Sequence, residues 1–133
     1  MEKEFFFKND KLVIWRPSGI LDSNKIYEFI NFLDAQSKQR GPYYSRFVDL
    51  SQISGISVKF QDIYPVVQQR KIYHRNNVKQ TIKMVFLVSN PLSYGMVRMY
   101  QMLYDDPHLD IFICENFAEA ANLLEVDAEE ISK

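Results

Sequence analysis

Cys114, His74 and His108 are the chain's only cysteine and histidines, so they are the first places to look for chemistry. A zinc site needs about four nitrogen or sulfur ligands at close spacing, and these three residues supply neither the number nor the spacing. Cys114 closes an apolar run and reads as a small core residue rather than a nucleophile. His74, set among Arg70, Lys71 and Arg75, reads as a solvated surface position, and His108 follows Pro107 in a connecting loop. A nucleophilic serine on a sharp turn would sit between two glycines, but Gly55-Ile56-Ser57-Val58-Lys59 lacks the second. Gly19, Gly41, Gly55 and Gly95 are too scattered for a phosphate-cradling loop or a dinucleotide fingerprint. No catalytic, cofactor-binding or metal-binding residue emerges, and an enzyme is not expected.

What remains is a set of polar residues at the predicted carboxyl ends of strands: Asp49, Ser51, Ser57 and Asn90, with Ser89, Glu115 and Asn116 in similar places. Ligands of open α/β sheets bind at that edge. Polar residues also gather there because strands end and helices begin, and that structural reading is preferred.

The elements that position them follow from pattern. Residues 4–7 and 11–16 are β-rich runs separated by Lys8-Asn9-Asp10, which predicts an opening antiparallel hairpin. Pro17, Ser18 and Gly19 break the strand, and Asp22 can cap a helix whose stripe is Ile26, Phe29, Ile30 and Leu33, ending near Gly41-Pro42. Arg46 to Leu50 reads as a short buried strand, and 51–57 as a loop. A second helix is expected over about 62–75, with Pro65 acceptable only in its first turn. Then come a strand over 82–88, a helix over about 91–105 capped by Asn90, a strand over 109–114, and a helix capped by Asn116 and running through Leu124. Alternating strands and helices imply right-handed crossovers. The expected fold is α/β, a mixed and mostly parallel sheet opened by an antiparallel hairpin, with helices packed on it.

With 133 residues, 47% hydrophobic and 25% charged, the chain suits one domain over 1–133, with 125–133 an acidic tail that adds at most a turn. The start lacks the basic and apolar regions of a secretory signal, and no apolar run is long enough to span a bilayer. One cysteine allows no internal disulfide, and a cytoplasmic protein is expected. Net charge is −1, yet bases crowd 59–83 and acids crowd 105–130. Arg70, Lys71, Arg75 and Lys79 are expected to form an exposed positive patch, read first as a solvated helix face and second as a site for an anionic protein partner. Nucleic acid is not expected, because the basic surface is narrow and the tail opposes it.

On the helix over 91–105, Leu92, Met96, Met99 and Leu103 are expected to form the core stripe. Val97, Tyr100 and Tyr104 widen the apolar arc beyond one face, which points to a covering subunit in a symmetric homodimer or an apolar ligand, or equally to cover within the chain from neighbouring loops or the Phe5-Phe6-Phe7 strand.

Three local patterns then carry a resemblance. They are Phe47-Val48-Asp49-Leu50-Ser51, the run VFLVSNPLSYGMVRM over 85–99, and Phe117 through Leu124. In order and spacing, over about 11–124, the chain resembles STAS domains of the anti-sigma-factor-antagonist type, particularly the SpoIIAA-like group of small bacterial proteins. The resemblance implies a regulatory protein-binding module without cofactor. In that family a serine at the start of the second helix, usually after Asp, accepts phosphate and switches partner binding. Counting on from Asp49, Ser57 stands at the Asp position and Val58 at the serine position, so the switch does not carry over. The group's likeness in fold to CRAL-TRIO lipid-transfer domains implies the competing reading, a binder of a small apolar or amphipathic, lipid-like ligand, although the chain is short for an enclosed lipid cavity.

Overall fold

The structure is a computed structural model that describes residues 4–132. Phe5–Asn9 (β1) and Leu12–Trp15 (β2) form the antiparallel hairpin, turning where Asn9 Oδ1 accepts the Lys11 N–H at 2.8 Å. Gly19–Asp22 (β3) leads into Ser23–Arg40 (α1), whose first turn is closed by Asp22 Oδ1 accepting from Lys25 N at 2.9 Å. Ser45–Asp49 (β4), Ile53–Ser57 (β5), Phe60–Asn77 (α2), Ile82–Leu87 (β6), Pro91–Leu103 (α3), Leu109–Cys114 (β7), Phe117–Leu124 (α4) and Ala128–Ser132 (α5) complete the chain. The main sheet runs β1-β2-β4-β6-β7, parallel except for the opening hairpin, as the order of elements implies.

Side chains alternate strictly across this sheet, because successive Cβ atoms point to opposite faces. Val13, Trp15, Val48, Met84 and Phe86 face a layer containing α1, α2 and α3, where Trp15 stacks on Phe29 with ring centroids 4.4 Å apart. Leu12, Ile14, Phe47, Val85 and Leu87 face α4 and α5, against Ala120, Ala121, Leu124 and Ile131. The acidic tail is therefore not merely a tail: Ile131 is fully buried and α5 docks through it.

Three expectations are corrected. The segments read as a strand break and a loop form a separate two-stranded parallel sheet, β3 with β5. Gly19 supplies the positive φ of 71° that enters β3, and Gly55 lets Ile20 approach, since a Cβ there would meet Ile20 Cδ1 at 3.2 Å. These strands are short and glycine-marked, so their pattern reads as loop.

The second correction concerns α2, which starts earlier than expected and carries Pro65 beyond its first turn. Pro65 and Gln61 are both exposed, so the helical hydrogen bond that the ring removes is lost on the solvent side of α2. The third is the face of α3. Leu92 is 64% exposed, while Ser93 and Val97 are buried and Met96, Tyr100 and Leu103 pack on the core. Hydrophobicity alone favours Leu92 over Ser93, but a small residue lets the helix start lie close to the sheet, and Ser93 Oγ is satisfied by Asn90 O at 3.1 Å.

Because Ile131 is the buried side chain of α5, Ile131→Ala is expected to cost about 3 kcal/mol. Urea unfolding followed by fluorescence of Trp15, the chain's one tryptophan, measures this; an unchanged midpoint would show α5 to be a passive appendage.

Candidate functional site

At the carboxyl edge of the sheet, most of the polar residues are engaged in holding the fold. Asp49 is fully buried, and its Oδ2 accepts from Arg16 Nη1 at 2.8 Å. Its Oδ1 accepts from the Ser51 N–H at 2.9 Å and the Ser51 hydroxyl at 2.6 Å, which shapes the turn after β4. Arg16 also donates to the Ile131 carbonyl and lies over the rings of Phe47 and Phe117, at 5.9 and 6.0 Å, so it links the ends of β2 and β4 to α4 and α5. Asn90 and Asn116 cap α3 and α4, accepting from Ser93 N at 2.9 Å and Glu119 N at 2.8 Å. Ser57 is exposed at the end of β5, and Val58 is half-buried against the core.

The basic patch is corrected by helical geometry. Ile63, Val67, Arg70 and His74 recur at steps of four, three and four, one face of α2, and that face is the buried one. Arg70 thus points inward and pairs with Asp34 on α1, and only Lys71, Arg75 and Lys79 are left outside, Lys71 half-buried. Val97 and Tyr104 are buried within the single chain, so as a subunit interface they are corrected too. Tyr100 packs edge-on to Phe86 at 5.9 Å.

What these corrections assemble is a buried polar cluster that sequence reading missed. Arg46, on the middle strand β4, is 2% exposed and shares its sheet face with Val48. Its Nη1 donates to Tyr44 O at 2.7 Å and its guanidinium lies 4.3 Å from the Tyr44 ring centroid, but no carboxylate pairs with it among the described residues. Burial lowers its pKa to about 10, so it stays charged near neutrality. Arg70, His74 and Tyr104 lie beside it, and all four line a cavity of about 80 Å³ whose other walls are apolar, among them Trp15, Val48, Met84, Phe86 and Met96. A charged residue inside a strand otherwise built for burial was the available signal.

His74 is 1% exposed, with Nδ1 3.6 Å from Asp106 Oδ2 and its ring edge-on to Tyr104 at 5.6 Å. Burial first, then the nearby Arg70 and Arg46 charges, lower its pKa from 6.5 to about 4, against the opposing pull of Asp106. Cys114 is buried, and burial raises its thiol pKa to about 11, which leaves it protonated and unreactive. Among the described residues no group of three or more His, Cys, Asp or Glu is placed to hold a metal ion. No helix among them is long and apolar enough to cross a membrane.

Two predictions follow from this geometry. Asp49→Ala removes the buried carboxylate that orients Arg16 and shapes the turn at Ser51, at an expected cost of about 3 kcal/mol in urea unfolding; a loss under about 1 kcal/mol would make the pair an ordinary surface bridge. For His74, the unfolded chain binds a proton below pH 6.5 while the folded chain resists until about pH 4. Stability therefore falls as pH drops through that window, by up to about 1.4 kcal/mol per unit. Thermal unfolding of His74→Phe between pH 7 and 4 is expected to be flatter than that of the wild type, and parallel curves would contradict it.

No family model matches the sequence, and no curated protein matches it. Among solved structures, the chain is similar to that of the anti-sigma factor antagonist SpoIIAA in its unphosphorylated form, at 12% identity and a TM-score of 0.56, covering 91% of this chain and 96% of that one. The likeness spans the opening hairpin, the parallel sheet and the helices on it, and the chain has the SpoIIAA-type STAS fold.

Proposed function

We propose that the chain is a non-enzymatic STAS-like regulatory module that acts by binding a protein partner, without a phosphate switch at the start of α2. The observation that carries this reading is at that helix start. Phe60 is 50% exposed and Tyr64 is 43% exposed, and their rings stack with centroids 5.4 Å apart. A stacked aromatic pair held in water is poorly placed for stability and well placed for contact, because it presents a large and nearly rigid apolar area. Val58, at the position of the family's serine, has no hydroxyl and leans on the core, so partner choice rests on shape and apolar contact rather than on a phosphate.

A second copy of the chain is one partner this surface would accept, giving a symmetric homodimer. The basic remnant Arg75 and Lys79 lies at the far end of α2 and would steer an acidic partner without setting its affinity. A cytoplasmic, bacterial setting fits the reading.

The test is a Phe60→Ser, Tyr64→Ser double variant, compared with the wild type by sedimentation and by native mass spectrometry of protein purified from its own host. The expected result is a wild type that carries a second polypeptide or a second copy, and a folded variant with unchanged melting temperature that carries none. A wild type that stays a bare monomer at micromolar concentration overturns the proposal.

A further inference from the structure

Independently of that surface, the cavity under β4 has an unmet chemical need. Arg46 Nη2, His74 Nδ1 and Tyr104 Oη are buried without a hydrogen-bond partner of normal geometry, His74 Nδ1 facing Asp106 Oδ2 at 3.6 Å and Tyr104 Oη lying beside the Arg70 guanidinium, and all three residues line the same cavity. One other buried side-chain atom is in this state among the described residues, Gln36 Oε1, and Gln36 does not line it. Buried polar atoms are nearly always paired, and a buried charge without a counter-charge costs several kcal/mol. The Arg46 N–H without an acceptor, next to the Arg70 charge and the Tyr104 hydroxyl on the same cavity wall, defines a place where an acceptor with negative charge belongs.

We propose that this cavity binds a small organic monoanion, a short-chain carboxylate, with its charged end on Arg46, Arg70 and Tyr104 and its apolar body against Val48, Met84 and Met96. The guanidinium fork matches a carboxylate bidentately, and a phenol O–H adds a third donor. Size limits the class. A cavity of 150 Å³ takes benzene, so about 80 Å³ admits a carboxylate of roughly two to four carbons and not a lipid. The apolar walls disfavour a multiply charged ion, which would arrive with hydration they cannot replace.

The route inward lies between α1 and α2. A groove on the outside of these helices is lined by Asp34 and Tyr73 together with Ile30, Val66 and Arg70, and these last three also line the cavity. Arg70 is the charged residue that groove and cavity share. Its partner Asp34 is half-exposed and holds it from the solvent side. An anion entering from the groove exchanges with Asp34 for Arg70 and then meets Arg46.

Thermal unfolding of the full chain in sodium acetate, propionate or butyrate, against sodium chloride at matched ionic strength and pH 7.5, tests this. The melting temperature is expected to rise by about 4 °C per tenfold excess over the dissociation constant with a carboxylate and not with chloride. Asp34→Asn, which frees Arg70, is expected to lower the half-saturating concentration several-fold. Arg46→Met is expected to lose the response while melting no lower than the wild type without carboxylate, since it removes an unpaired buried charge of similar volume. Should Arg46→Met fail to fold, Tyr104→Phe keeps the ring and is expected to weaken the response. Equal shifts with chloride, no shift in the wild type, or an Arg46→Met protein that melts lower yet responds as before would each overturn the proposal and leave water as the groups' partner. The Phe60→Ser, Tyr64→Ser variant keeps the cavity and should respond like the wild type, which separates this site from the surface reading.

Discussion

A strand at the middle of a parallel sheet has no face in water, so each polar group it carries must be satisfied inside the protein. β4 is that strand here, third of five, and it carries two buried charges on opposite faces. Asp49 faces the α4 and α5 layer and is fully served there by Arg16 and Ser51. Arg46 faces the three-helix layer and meets backbone carbonyls, a tyrosine ring and two further cationic or titratable groups, Arg70 and His74. One charge therefore organises the structure around it, and the other is tolerated by it.

The contrast explains how the two layers differ. On the Asp49 side, Arg16 joins strand ends, two aromatic rings and the C-terminal helix, so the layer is closed by a network in which a missing member exposes the rest. The Arg46 side is closed mainly by apolar packing of α1, α2 and α3, with aromatic contacts from Phe5 and Phe7 to Phe32 shielding its rim. Apolar packing is not directional, and it can leave room where side chains of unequal length meet. Met84, Met96 and Tyr100 line that room together with Arg46 and Arg70.

How far the sequence reveals this depends on the kind of signal. The hairpin, the apolar runs of the main sheet's three parallel pairings and the capped helices are written in local pattern, since Asp22, Asn90 and Asn116 each stand where a helix begins. β3 and β5 are not, because two short strands with a glycine in each gain their identity only by pairing with each other. Exposure of charged side chains was the weakest inference. Arg70 and His74 lie among exposed bases in the sequence, yet they continue the stripe of Ile63 and Val67, and the geometry of a helix decided against composition. The same conflict moved Tyr104 from an expected interface to the wall of the cavity.

A fold shared at 12% identity leaves function to what differs on the frame, and both candidate features of this chain lie on one element. α2 starts at the exposed Phe60 and Tyr64 and ends at Arg70 and His74 over the cavity, with Pro65 interrupting the backbone ladder between them. A helix missing an internal hydrogen bond bends there at less cost than elsewhere. Its seat on the sheet is set partly by Arg70 and Asp34, an ion pair that reaches solvent, and partly by His74 against Tyr104. Whatever alters the charge balance at the inner end acts on the same rigid segment that carries Arg70, and reaches the aromatic pair only across the Pro65 break. Any coupling between the two features is thus limited by how stiffly α2 passes Pro65, and a stiffer helix would tie them more closely.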